Sequence, residues 1–317
     1  MSNIIEIEGL TKKYGDFTAL NNLTLNVEEG AVFGFIGPNG AGKSTTMRVL
    51  TTLLTPTSGT ARIAGIDVLQ DPQSVRHVIG FMPDFFGVYD DMKVWEYLDF
   101  FAACYDIPSE QRPTMIRDLL DLVELGTKRE NYVEELSRGM KQRLCLARTL
   151  VHDPQVLILD EPASGLDPRA RIEMRELLRE LKNMGKTIFF SSHILTEVGD
   201  ICSHIAILEA GNLVSTGNIA EMQATLRQNK LIELRVLGSL DTVQSTLIAN
   251  PLVLGIASSN EADLPEDTLN FEFAGSDDEL SQLLATLIGQ GAKIAAFGEI
   301  KGNLEDVFLQ ATKGIVN

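Results

Sequence analysis

Apolar and polar positions alternate at the start of the chain. Ile4, Ile5 and Ile7 lead to a turn-rich stretch, Thr11–Gly15, and Leu23, Leu25 and Val27 precede Glu28-Glu29-Gly30. This period of two predicts short strands broken by turns. Val32–Ile36 is a continuous apolar run of buried-strand length; it enters a glycine-rich loop, and helical spacing follows through Met47, Leu50 and Leu54. Residues 94–125 carry helix periodicity, with Val94, Leu98, Phe101 and Tyr105 on one face and a second stretch opened by Pro113. Strand signals return at Val156–Leu159, Thr187–Ser191 and Ile205–Leu208. Strands alternating with helices in this way predict a largely parallel α/β sheet.

The pattern changes after about residue 220. Ile232, Leu234 and Val236 alternate with Glu233 and Arg235, Asp241–Ala249 reads as helix, and Leu252–Ile256 and Leu269–Phe273 read as strands. Ser276 to Glu279 has capping-box spacing ahead of a Leu280, Leu283, Leu284, Leu287, Ile288 stripe, and Lys293–Phe297 closes as a strand. The order β-α-β-β-α-β predicts a small α+β, ferredoxin-like domain. The expected division is residues 1–220, with a helical subdomain at about 85–150, and residues 221–317.

The 317 residues are 44% hydrophobic and 22% charged, which excludes a wholly disordered or fibrous chain. Net charge is −17, and residues 221–317 alone hold 14 acidic and 6 basic side chains. Such a chain is a poor match for nucleic-acid phosphates, so no nucleic acid is expected as partner. No apolar run approaches the ~18–20 residues that span a bilayer, and the first ten residues read as a strand rather than a secretion signal. The widely separated Cys104, Cys145 and Cys202 fit neither a disulfide framework nor a metal site and are expected to be reduced core thiols.

Chemistry enters at Gly37-Pro38-Asn39-Gly40-Ala41-Gly42-Lys43-Ser44, a Walker A loop set between a predicted strand and helix. Its glycines let backbone N–H groups wrap phosphate oxygens, Lys43 adds positive charge, and Ser44 offers Mg²⁺ a hydroxyl. Thr45 joins the same nucleotide-binding run. Val156–Leu159 followed by Asp160-Glu161 reads as a Walker B strand. Asp160 would hold Mg²⁺ and Glu161 would polarise the attacking water. The pair predicts ATP or GTP hydrolysis.

Leu136-Ser137-Arg138-Gly139-Met140 lies between these motifs at the opening of a helix. It resembles the Leu-Ser-Gly-Gly-Gln signature of the nucleotide-binding subunits of ABC transporters, and the Arg-Gly-Met-Lys form is similar to the branch exporting drugs, lipids or polysaccharides. Ser137 is also a helix N-cap by type. The resemblance implies that Ser137 and Gly139 bind the γ-phosphate of ATP held by a second copy. It further implies that Tyr14 stacks on adenine, that Asp167 of Ser164-Gly165-Leu166-Asp167 lies in the D-loop at the dimer interface, and that His193 is the switch histidine. Asp167 before Pro168 is equally a helix cap. His77, His152 and His204 are read as structural. Asp84 stands where the family carries a glutamine, and it is expected to remain a metal ligand. Phe85, Phe86, Tyr89 and Trp95 form either a groove for a permease helix or subdomain core. Asn303–Leu309 resembles a closing helix, at about 303–312.

The resemblance implies a P-loop NTPase core with an antiparallel β subdomain and a helical subdomain. It implies ATP and Mg²⁺ as cofactors, Glu161, His193 and Lys43 as the catalytic set, and Asp160, Ser44 and Asp84 as metal ligands. The expected function is ATP hydrolysis driving a separate integral membrane permease, with export as the expected direction. The chain would act as a head-to-tail homodimer, cytoplasmic and peripheral on the inner face of the membrane. The alternatives are a non-transport ABC ATPase serving ribosomes or DNA repair, a monomeric P-loop kinase, and a non-hydrolysing regulatory module, the last disfavoured by the presence of Lys43, Asp160, Glu161 and His193.

Overall fold

The computed structural model describes residues 2–85, 87, 89, 91–225, 230–238, 240–258 and 267–300. Phe86 and Asn303–Leu309 lie outside them. Two compact units meet in sequence between Ile219 and Ala220.

In the first unit, strands β1 (Asn3–Tyr14) and β2 (Phe17–Glu28) form a long antiparallel hairpin. The turn expected at Thr11–Gly15 is mostly strand, because Lys12, Lys13 and Tyr14 stay paired with Leu20, Thr18 and Phe17 through register shifts that absorb the irregularity. Strand β3 (Val32–Ile36) is buried along its whole length and feeds helix α1 (Lys43–Leu50). Strands β4 (Ser58–Ile63) and β5 (Ile66–Asp67) complete a four-stranded sheet ordered β2-β1-β4-β5. Helix α2 (Pro72–Val78), capped by Asp71, leads into β6 (Ile79–Met82). Helices α3 (Val94–Cys104), α4 (Arg112–Leu122) and α5 (Arg138–Leu150) follow. The unit continues through β7 (Val156–Leu159), α6 (Pro168–Asn183), β8 (Thr187–Ser192), α7 (Leu195–Ile201), β9 (His204–Glu209) and β10 (Asn212–Asn218), before helix α8 (Ile219–Thr225).

The central sheet runs β10-β9-β3-β8-β7-β6. Its strands are parallel except for the antiparallel edge β10. Both faces of β7 are covered, so Val156, Leu157, Ile158 and Leu159 are all fully buried. That explains a continuous apolar run where a half-exposed strand would alternate. Each such side chain contributes roughly 1.5–3 kcal/mol by leaving water. Ile79–Met82 looks like loop in sequence, yet it pairs with β7 along four positions and brings the chain to Asp84 beside the Walker B carboxylates. One core joins the two sheets through residues such as Ile7, Leu23, Phe35 and Phe189, and a separate core around Val94, Tyr97, Leu98, Leu120 and Leu144 holds α3, α4 and α5.

The second unit contains β11 (Lys230–Val236), α9 (Asp241–Ala249), β12 (Val253–Ser258), β13 (Thr268–Phe273), α10 (Asp277–Gly289) and β14 (Ile294–Glu299). The antiparallel sheet is ordered β12-β13-β11-β14, a ferredoxin-like arrangement. Ser276 and Glu279 form the capping box of α10, and Ile232, Leu234, Phe271, Phe273, Leu283 and Leu287 form the core.

Cys145 is buried and its thiol is pushed up to about 11 by that burial, as expected of a core thiol. Cys104 is exposed, and the core expectation fails there because α3 ends on the surface.

Candidate functional site

Residues 38–45 wrap the mouth of an open cleft of about 390 Å³, whose walls also include Tyr14, Phe17, Asp84, Glu161, Ser164 and His193. The loop geometry follows from space. A Cβ on Gly37 would stand 2.5 Å from the Leu208 carbonyl oxygen, and Gly42 adopts φ 105° with the Ala19 carbonyl 2.7 Å from where a Cβ would be. Helix α1 starts at Gly42 with no side-chain cap. The N–H groups of its first turn therefore have no intrahelical acceptor and can receive an anion, with the helix dipole favouring it.

Lys43 is almost wholly buried. Its Nζ donates to the Gly37 carbonyl at 2.6 Å and the Pro38 carbonyl at 3.3 Å, and it lies 3.5 Å from Glu161 Oε1. Glu161 Oε2 is 2.7 Å from His193 Nδ1. A carboxylate only accepts, so Nδ1 carries the proton in this contact. One carboxylate thus spans two basic groups from different strand ends.

Asp160 is 5% exposed, and its N–H continues the sheet by donating to the Met82 carbonyl at 2.8 Å. Its Oδ1 accepts the Ser191 hydroxyl at 2.6 Å, and among the described residues it forms no ion pair. A buried carboxylate without a cationic partner is costly unless a cation binds it. With the Ser44 hydroxyl in the cleft, this donor set fits Mg²⁺. Asp84 sits at the same mouth, its carboxyl held above the ordinary range by burial and then by the charges of Asp160 and Glu161, against the opposing pull of Arg138 and His193.

Ser137, Gly139 and Asp167 are not among the residues lining this cleft. The Ser137 hydroxyl caps α5 by accepting from Met140 N–H at 3.3 Å, and Asp167 caps α6 by accepting from Arg169 and Ala170 N–H at 3.0 Å each. Phe85 is 89% exposed and Tyr89 packs edge-on against Phe100, whereas Trp95 packs against the helical core.

A sequence profile described as "ABC transporter" matches residues 20–164. The chain is 35% identical, over 98% of its own length and 98% of the relative's, to the "Nod factor export ATP-binding protein I" of Cupriavidus metallidurans. The protein of that name from Rhizobium meliloti is 40% identical over 67% of this chain and 64% of its own. A solved "ATP binding subunit of ABC transporter" superposes with TM-score 0.64 at 28% identity, covering 70% of this chain and 92% of that one. The chain belongs to the ABC transporter family. It is an ATP-binding subunit with an ABC ATPase fold.

Three residues of this ABC subunit's site escape a motif reading. Ser191 links the Asp160 carboxylate to the backbone N–H of Glu161, Phe17 places a second exposed ring beside Tyr14, and Gln142 is buried against the segment that follows Glu161. Ser191 carried one available signal, a polar residue directly after the apolar run Ile188–Phe190.

Proposed function

We propose that this subunit hydrolyses MgATP and uses the cycle to drive a separate membrane permease in export. The observation that carries the reading is Glu161, whose two carboxylate oxygens face Lys43 and His193 at the loop that wraps phosphate. A carboxylate so held is oriented as general base toward a water attacking the γ-phosphate. Lys43 places a positive charge at the β- and γ-phosphates, and His193 keeps the carboxylate aimed while standing at the γ-phosphate end. Bound by Ser44, Asp160 and Asp84, Mg²⁺ would neutralise charge developing on the phosphate oxygens. Tyr14, at the cleft mouth with half its surface exposed, presents a ring for adenine. The nucleotide-binding positions are accordingly residues 37–45 with Tyr14.

Ser137, Gly139 and Asp167 lie off their own chain's cleft, which supports a head-to-tail homodimer in which each signature helix completes the neighbour's site. The exposed Phe85 ring supports this face as the contact with the permease. Among the described residues no helix is long and apolar enough to cross a membrane, so the permease is a separate partner in this reading, with the subunit on the inner face of the membrane. Export is supported by the relatives named as export ATP-binding proteins.

The test is the ATPase rate of the full chain against its own concentration. A specific activity that rises with concentration, and a Glu161→Gln variant that binds MgATP and dimerises but hydrolyses poorly, are the expected results. A concentration-independent rate with phosphate passed to a metabolite would establish the kinase alternative. Co-purification of the Glu161→Gln variant with a multi-span protein from membranes tests the permease.

A further inference from the structure

Glu161 is the residue on which hydrolysis turns, and its backbone is in the left-handed region at φ 52°. For a residue with a Cβ this conformation costs on the order of 1–3 kcal/mol and persists only where neighbours enforce it. Two hydrogen bonds do so. On one side the Glu161 N–H donates to Ser191 Oγ at 2.9 Å. On the other, the carbonyl of Pro162, the next residue, accepts the amide Nε2 of Gln142 at 2.5 Å. Gln142 is 3% exposed, so this contact is made away from water, where losing it leaves a carbonyl and an amide unsatisfied.

The donor belongs to α5, the helix that opens with the signature residues. Gln142 lies three positions after Gly139, on the same side of the helix. The first turn of α5 also approaches the chain beyond Pro162 at two further places. Arg138 Nη2 donates to the Ser164 carbonyl at 3.3 Å, with its guanidinium laid where a Gly165 side chain would begin, and Gly139 comes close enough to α6 that an added Cβ would stand 3.2 Å from Ala170 Cβ.

We propose that Gln142 is a positioning residue for Glu161: by holding the Pro162 carbonyl it fixes the turn that aims the carboxylate, and it ties that aim to the position of the signature helix. The inference rests on the hydrolytic dimer proposed above. Engagement of a signature helix with the neighbour's nucleotide then reaches the hydrolytic carboxylate of its own chain through one side chain, without passing through the nucleotide.

The experiment uses Gln142→Met, which keeps length and volume but cannot donate, and Gln142→Asn, which keeps the amide one methylene short. In the full chain, kcat is expected to fall about 10- to 100-fold with KM for ATP within about twofold, the scale of a catalytic group misplaced by ~1 Å. In a Glu161→Gln background, where the carboxylate is already gone, Gln142→Met should lower the residual rate less than twofold. A folded Gln142→Met variant with wild-type kcat overturns the proposal. So does the same multiplicative loss in both backgrounds, which marks a structural role, or a raised KM with kcat intact. If Gln142→Met does not fold, Gln142→Asn carries the same readings. Wild-type chain with no ATPase at any concentration would instead overturn the hydrolytic reading itself.

Discussion

The Ser191 hydroxyl donates to Asp160 Oδ1 at 2.6 Å while accepting the N–H of Glu161, so a single serine on β8 fixes two adjacent carboxylate residues on the end of β7. Ser191 is fully buried, so its two partners are shielded from bulk water. Ser191→Ala should destabilise the subunit by about 1–3 kcal/mol, the cost of leaving a buried acceptor and donor unmet. It should also lower kcat more than it raises KM for ATP. Thermal unfolding together with steady-state ATPase measures both, and an unchanged kcat would show that Glu161 holds its place without the serine.

Two glycines with opposite surroundings give a paired test. At Gly37 a Cβ would meet the Leu208 carbonyl oxygen at 2.5 Å and Ala41 Cβ at 2.9 Å, so Gly37→Ala has to move backbone. The expected loss is about 1–3 kcal/mol, with weakened ATP binding because the phosphate loop is displaced. Gly199 lies inside α7 with nothing within 4 Å of where a Cβ would stand, and Gly199→Ala should stabilise by about 0.5–1 kcal/mol through helix propensity. Denaturant midpoints and nucleotide titration of the two variants give the comparison. A Gly37→Ala variant as stable as wild type, or a destabilised Gly199→Ala, would contradict the packing argument.

Much of the site was readable because its chemistry is local in sequence. Residues 37–44 hold their loop, their lysine and their helix start within one segment, and Asp160-Glu161 follow directly on the apolar run 156–159. What was not readable depends on approach between distant segments. Nothing near Gln142 in sequence announces the Pro162 carbonyl 20 positions away, and Ser191 becomes meaningful only once β8 lies beside β7. The strand Ile79–Met82 was hidden for a related reason, since four residues on a sheet edge gain their identity from the neighbour they pair with. The hairpin ending at Tyr14 and Phe17 shows the reverse case, where local turn chemistry was overridden by continuous pairing.

Asp84 replaces a glutamine of the family pattern with a side chain one methylene shorter, negatively charged and unable to donate. It lines the cleft with Ser44 and Glu161, and burial together with Asp160 and Glu161 raises its carboxyl above the ordinary range. Asp84→Gln should relieve the crowding of three carboxylates while removing one anionic oxygen. The expected outcome is a higher Mg²⁺ concentration for half-maximal ATPase and an altered kcat. An Mg²⁺ dependence and a turnover both equal to wild type would remove Asp84 from the metal set.

His152 provides a pH test away from the nucleotide. Its ring stacks on Tyr105 at 3.8 Å between centroids and 7° between planes, Nε2 lies 2.8 Å from the Ile79 carbonyl, and Nδ1 is buried without a hydrogen-bond partner. Burial is the largest influence and lowers its pKa, helped by the nearby charges of His77 and Lys186; the Ile79 carbonyl and Asp153 pull the other way. The folded chain therefore binds a proton less readily than the unfolded chain, whose histidine titrates near about 6.5. Above that value both states are neutral and the contribution to stability is complete. As pH falls below it the unfolded state takes up a proton that the folded state refuses, and stability drops by at most about 1.4 kcal/mol per pH unit until the folded pKa is reached. His152→Phe keeps the stack on Tyr105 and cannot titrate. The wild-type Tm should fall more steeply than the variant's between about pH 7 and pH 5.5, a window bracketing the ordinary histidine pKa, and parallel curves would show that His152 protonates as easily in the folded chain as in the unfolded one.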